Sequence, residues 1–128
     1  PISGIVIVTL PQQVSLDDAH RSLEMFRQLE IPVLGVVENM SYLELPDGAR
    51  MNIFGSGGGE RLARDVGVPF IGMIPIDPSV TTGGDAGQPI IIAKPDSPVG
   101  RIFRSIAKDL AARISVAAVR QNNYIRMI

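Results

Sequence analysis

The chain has 128 residues, no cysteine and a formal net charge of −1, with 45% hydrophobic and 20% charged side chains. That is the composition of one globular domain with a core of its own. It excludes disulfides, thiolate metal sites and cysteine nucleophiles, and gives no electrostatic case for nucleic acid or an acidic membrane surface. No apolar run approaches the roughly 18 residues of a spanning helix. The visible sequence has no signal-peptide pattern, and cytoplasmic residence is the default expectation.

Residues 4–9 (G-I-V-I-V-T) are apolar and β-branched and predict a buried strand. Thr9 and Pro11 end it. Ser15 is expected to cap a helix, with Asp17 and Asp18 in the first turn. Leu16, Ala19, Leu23 and Phe26 then recur at helical spacing to about Leu29. Ile31-Pro32 closes that helix and feeds residues 33–42, V-L-G-V-V-E-N-M-S-Y. An unbroken apolar run of this kind suits a strand buried on both faces of a parallel sheet. Strand, helix and parallel strand make a right-handed βαβ unit. Asn39 stands at the carboxyl end of the run, where open α/β sheets bind ligands. It either hydrogen-bonds something in that crevice or starts a turn.

Pro46-Asp47-Gly48 is a turn signal, and residues 42–44 and 50–53 are expected to flank it as a short hairpin. The glycines at 55–59 lead into a helix over residues 60–66, capped by Gly67. They do not make a phosphate loop: Glu60-Arg61 follow where Lys and Ser/Thr are needed. A flexible helix entry is expected instead. Residues 69–76 predict a third strand, residues 81–88 a loop with a helical turn, and residues 89–93 an edge strand or a buried crossing. Asp77, between Ile76 and Pro78, is a turn device or a ligand contact. Ser97-Pro98 opens a long amphipathic helix through Val99, Ile102, Phe103, Ile106, Leu110 and Ile114. The tail, residues 121–128, has no packing signal. His20, the only histidine, is expected at the surface or in helix packing.

Three parallel strands form a half-sheet with an open apolar edge. With Pro1 standing just before a strand, the chain is expected to continue upstream as part of a larger α/β domain.

Residues 4–19, 31–42 (with V-E-N-M-S-Y), 53–63 (I-F-G-S-G-G-G-E-R-L-A), 67–78 (G-V-P-F-I-G-M-I-P-I-D-P) and 96–99 (D-S-P-V), in that order, closely resemble the Mrp/ApbC family. These are P-loop ATPases related to MinD and the nitrogenase iron protein, associated with iron–sulfur cluster carriage. The resemblance implies that residues 1–115 are the C-terminal half of a three-layer P-loop fold, with 116–128 a tail. It implies an adenine contact by the Asn39 amide, with Pro75, Ile76 and Asp77 beside the base and supplying mainly backbone contacts. The Walker A lysines and the Mg²⁺ site of an ATP/ADP complex would lie outside this chain. The complete protein would then be an ATP hydrolase working as a homodimer that serves iron–sulfur client proteins. This chain alone is expected to be inactive. Many members carry C-x-x-C after N-M-S-Y. Leu45 and Gly48 stand there in this chain, so the usual cluster ligands are missing. The alternative from another class is a non-enzymatic MinD/ParA-like scaffold that binds a partner through its open sheet edge or last helix.

Overall fold

The computed structural model describes residues 2–126, with side chains through residue 120. The apolar run becomes strand β2 (Val33–Glu38), paired in parallel with β1 (Ile5–Thr9) on one side and β5 (Phe70–Met73) on the other. β2 is the middle strand, and of the three it is the one buried along nearly its whole length on both faces. Alternation along it sends Val36 toward helices α1 (Gln13–Gln28) and α2 (Gly58–Val66), where it joins Ile7, Leu16, Leu23 and Ala63. Val37 points the other way, into a second cluster with Ile74, Ile90 and Val99. That face is covered by α5 (Pro98–Arg126) and by the one-turn α4 (Ile90–Ala93). A separate hairpin pairs β3 (Leu43–Glu44) with β4 (Arg50–Met51). Its turn forms as expected: Gly48 has φ 85°, and the Asp47 carboxylate accepts the Ala49 N–H at 2.9 Å.

Several expectations need correction. Ser15 does not cap α1. The helix begins at Gln13, with Gln12 in the capping position and the Leu16 N–H reaching the Gln12 carbonyl at 3.0 Å. The Ser15 hydroxyl instead accepts the Leu10 N–H at 2.9 Å and lies 3.0 Å from the Thr9 hydroxyl. It fastens the strand end to the helix, a tertiary task that outcompetes local capping. Residues 81–88 are mostly helix, not loop: α3 spans Pro78–Asp85. Residues 89–93 make no strand; they hold α4, which buries Ile90. The regular part of β5 is shorter than expected, although Ile74 and Ile76 still donate to the Glu38 and Tyr42 carbonyls at 2.8 Å each. Val99, Ile102, Phe103 and Ile106 of the α5 stripe pack against the sheet, whereas Ile114 is 40% exposed. The expectation for residues 121–128 falls on side chains, and for Met127 and Ile128 on backbone too, that lie outside the described residues.

The last two glycines at the entry to α2 have a packing role as well. Gly58 and Gly59 are buried, and a Cβ on Gly58 would lie 2.6 Å from the Leu16 side chain and 3.0 Å from the Pro11 carbonyl. The glycines let the helix start approach α1 and the sheet closely.

Candidate functional site

Two hydrogen bonds shape the end of β2. The Asn39 N–H donates to the Thr9 carbonyl at 2.7 Å, and the Ser41 N–H to the Ile74 carbonyl at 2.9 Å. Between them Met40 takes a left-handed conformation, φ 49°, uncommon for a residue with a side chain. The Asn39 side-chain oxygen stabilises this turn by accepting the Met40 N–H at 2.9 Å. Asn39 therefore does start a turn. Its amide nitrogen has no partner among the described residues and remains a donor at the half-buried rim.

The pocket beside it has a volume of about 200 Å³ and is lined by Asn39, Ile74, Pro75, Ile76, Asp77 and Val80, among others. All four residues singled out from the sequence, Asn39, Pro75, Ile76 and Asp77, thus line one cavity at the carboxyl end of the sheet. Pockets for whole drug-sized ligands run to about 300–1,000 Å³. This one has the scale of a single planar ring system, with apolar walls and one amide donor. A larger cavity of about 640 Å³ lies at the opposite end of the strands, among Pro32, Pro69, Val116 and Arg120. It is on the wrong side of the sheet for the usual crevice, and its Arg113 is engaged by Asp109 at 3.0 Å.

Asp77 caps α3. Its carboxylate accepts the Ser79 N–H at 2.9 Å and the Ser79 hydroxyl, and Pro78 occupies the first helical position. The Ser79 hydroxyl, then the Ser79 N–H, hold the carboxyl below its ordinary pKa; partial burial opposes this and Lys94 adds to it. A folded pKa below the unfolded one stabilises the cap at all pH values above the unfolded pKa. That contribution fades as pH falls through the folded pKa. The protection factors of the α3 amides, which divide out the intrinsic pH dependence of exchange, are therefore expected to be constant at neutral pH and to fall as pH drops below the ordinary carboxyl range. Asp77→Ala should cost about 0.5–2 kcal/mol at pH 7. Equal α3 protection in wild type and variant at pH 7 would refute the cap.

Glu38 is the residue that sequence reasoning passed over. It is 1% exposed, yet it is a carboxylate at the end of an apolar strand. One oxygen accepts the Gly59 N–H at 2.8 Å in the first turn of α2; the other accepts the Ser41 hydroxyl. The anion at this helix start is therefore the chain's own. The signal was the period of two along β2, which puts Glu38 on the buried face with Val36.

The remaining candidates scatter. His20, Asp17 and Asp18 are exposed on α1, away from the Asn39 pocket. Leu45 and Gly48 sit at the hairpin turn, and no group of three or more metal-ligating side chains occurs among the described residues. The hairpin offers no thiolate, so its residues do not fit an iron–sulfur cluster. No helix among the described residues is long and apolar enough to cross a membrane.

The family model described as ParA, NUBPL iron-transfer P-loop NTPase, matches residues 1–111. An iron-sulfur cluster carrier protein of Synechocystis sp. is 46% identical over 122 residues, covering 93% of this chain and 34% of the relative. The iron-sulfur cluster transfer protein NUBPL of Dictyostelium discoideum is 38% identical over 117 residues, covering 91% of this chain and 36% of the relative. The chain thus spans about a third of the length of the curated relatives it matches. A nucleotide-binding protein from Archaeoglobus fulgidus, solved in complex with ADP, superposes with a TM-score of 0.58 at 39% identity over 67% of this chain and 36% of its own. MinD of Pyrococcus horikoshii, complexed with Mg-ADP, superposes with a TM-score of 0.68 over 88% of this chain and 42% of its own; at 20% identity it shows the fold alone. The sheet and its helices are those of a P-loop NTPase, and the chain belongs to the ParA-group family of NUBPL-type iron-transfer P-loop NTPases.

Proposed function

We propose that this chain is the adenine-binding part of an Mrp-like ATP-binding protein that works in iron–sulfur cluster assembly. One observation carries the reading. Asn39 presents a free amide donor over an apolar, base-sized pocket walled by Ile74, Pro75, Ile76 and Asp77. An Asn amide can donate to one adenine nitrogen, and the backbone at 75–77 lies where the base edge would be. The relative solved with ADP supports adenine nucleotide as the ligand class. In this reading the Asp77 carboxylate is spent on its cap, so its share of binding is through backbone. ATP or ADP would bring Mg²⁺ and phosphates to residues outside this chain. Positioning those phosphates is the main work of phosphoryl transfer, so hydrolysis belongs to the complete protein and not to this chain alone. The complete protein would act in the cytoplasm as a homodimer, with iron–sulfur client proteins as partners. A cluster carried there needs ligands from elsewhere, since the hairpin has Leu45 and Gly48.

The test is Asn39→Ala in the complete protein, titrated with ADP by calorimetry. Loss of one base contact should weaken binding by about 1–3 kcal/mol. Unchanged affinity would eliminate the adenine assignment.

A further inference from the structure

We infer that Glu38 is a positioning residue for the base pocket, setting the direction of the Asn39 amide by clamping the turn that follows it. The inference rests on the adenine reading of that pocket.

A carboxylate at this depth needs a reason. Burying an unpaired charge is expensive, and an apolar residue in its place would extend the core around Val36. Here both oxygens are used. One takes the Gly59 N–H at 2.8 Å at the start of α2, where the helix dipole favours an anion. The other takes the Ser41 hydroxyl, three residues on. That second bond spans Asn39 and Met40 and closes the turn in which Met40 sits at φ 49°. The backbone bonds of Asn39 and Ser41 pin the two ends of the turn, and this clamp adds a side-chain tie across its middle, so that without it Met40 and the Asn39 side chain are held less firmly. Asn39 projects to the opposite face of the sheet from Glu38. The carboxylate therefore fixes from below a side chain whose ligand lies above, and its own anchor is a rigid helix start. The packing is close as well: a Cβ on Gly59 would fall 3.0 Å from the Glu38 Cβ and 3.1 Å from its oxygen.

The experiment compares ADP and base-free tripolyphosphate as ligands of the complete protein, in wild type, Ser41→Ala, Glu38→Ala, Glu38→Gln and Asn39→Ala. Ser41→Ala removes only the clamp and leaves the Gly59 bond, so it carries the test if Glu38→Ala does not fold. Expected is a loss of ADP affinity of about fivefold for Ser41→Ala and at least about tenfold for Glu38→Ala, with tripolyphosphate unchanged. Glu38→Gln can still accept from Gly59 and donate to the Ser41 oxygen, and should rescue most of the loss. A fall in both ligands together would mean a general effect on folding and would overturn the inference. So would wild-type ADP binding by Ser41→Ala and any folded Glu38→Ala while Asn39→Ala loses it; the pocket assignment would then stand without the clamp. If Asn39→Ala is silent too, the adenine reading itself falls and the inference with it.

Discussion

Leu23→Ala is expected to destabilise the domain by about 2–5 kcal/mol, because it removes a large side chain from a site with no access to solvent. Leu23 is 0% exposed and sits at the centre of the cluster formed by Ile7, Leu16, Val36, Leu62 and Val66. α1 and α2 both rest on the sheet, so neither can collapse into the void without moving the other. Domains of this kind have only about 5–15 kcal/mol of total stability, and the loss is a large share of it. Leu29→Ala is the control: Leu29 follows the last turn of the same helix and is 60% exposed, so its truncation should stay within about 0.5 kcal/mol. Urea unfolding of the two variants checks this, and equal midpoints would mean that α1 is not packed as described.

The second large effect is expected from adding one methyl group. In Gly35→Ala the new Cβ would lie 2.5 Å from the Ile71 side chain and 2.7 Å from the Pro69 carbonyl oxygen. Ile71 can change rotamer, but the Pro69 carbonyl cannot withdraw. It accepts the Val36 N–H at 2.9 Å, a bond that ties β5 to β2. The methyl must therefore push the two strands apart, at a cost of about 1–3 kcal/mol or more. Gly84→Ala has nothing within 4 Å and lies inside α3. It should be neutral or stabilising by up to about 1 kcal/mol. If urea midpoints place Gly35→Ala level with Gly84→Ala, the close approach of β2 and β5 is wrong.

Gly35 also shows where sequence reasoning stops. The run V-L-G-V-V identifies a buried strand, and that strand is indeed the middle of the sheet. Nothing local says that its glycine faces a carbonyl from a segment more than thirty residues later. The parallel order, the βαβ unit, the hairpin and the start of α5 were legible because each rests on local pattern: apolar runs, a Pro-Asp-Gly turn, Ser97 before Pro98. Of the site, the gathering of Asn39 with Pro75, Ile76 and Asp77 was legible through family resemblance, since no local pattern brings those two segments together. α3 was missed although Asp77-Pro78 is a fair helix start; the glycines and threonines after it have poor helix propensity, and the cap with its packing outweighs them. The roles of Ser15 and Glu38 were not legible. Ser15 has a good capping residue's chemistry but is drawn to Leu10 and Thr9, and Glu38 is satisfied by a glycine N–H twenty-one positions away.

The two clusters on either side of the sheet also fix an order of events during synthesis. The face carrying Ile7 and Val36 has its partners among residues 5–70, so it is complete once β5 begins to emerge. The face carrying Val37 and Ile71 waits for Ile90 and for Val99 through Ile106, which follow β5 in the chain. A nascent chain that has already paired β1, β2 and β5 therefore displays one finished and one bare side while the next thirty or so residues are made. Its vulnerable interval runs from the completion of β5 to the arrival of α5, and a chaperone that shields it needs to recognise a flat apolar surface and let go when α5 arrives.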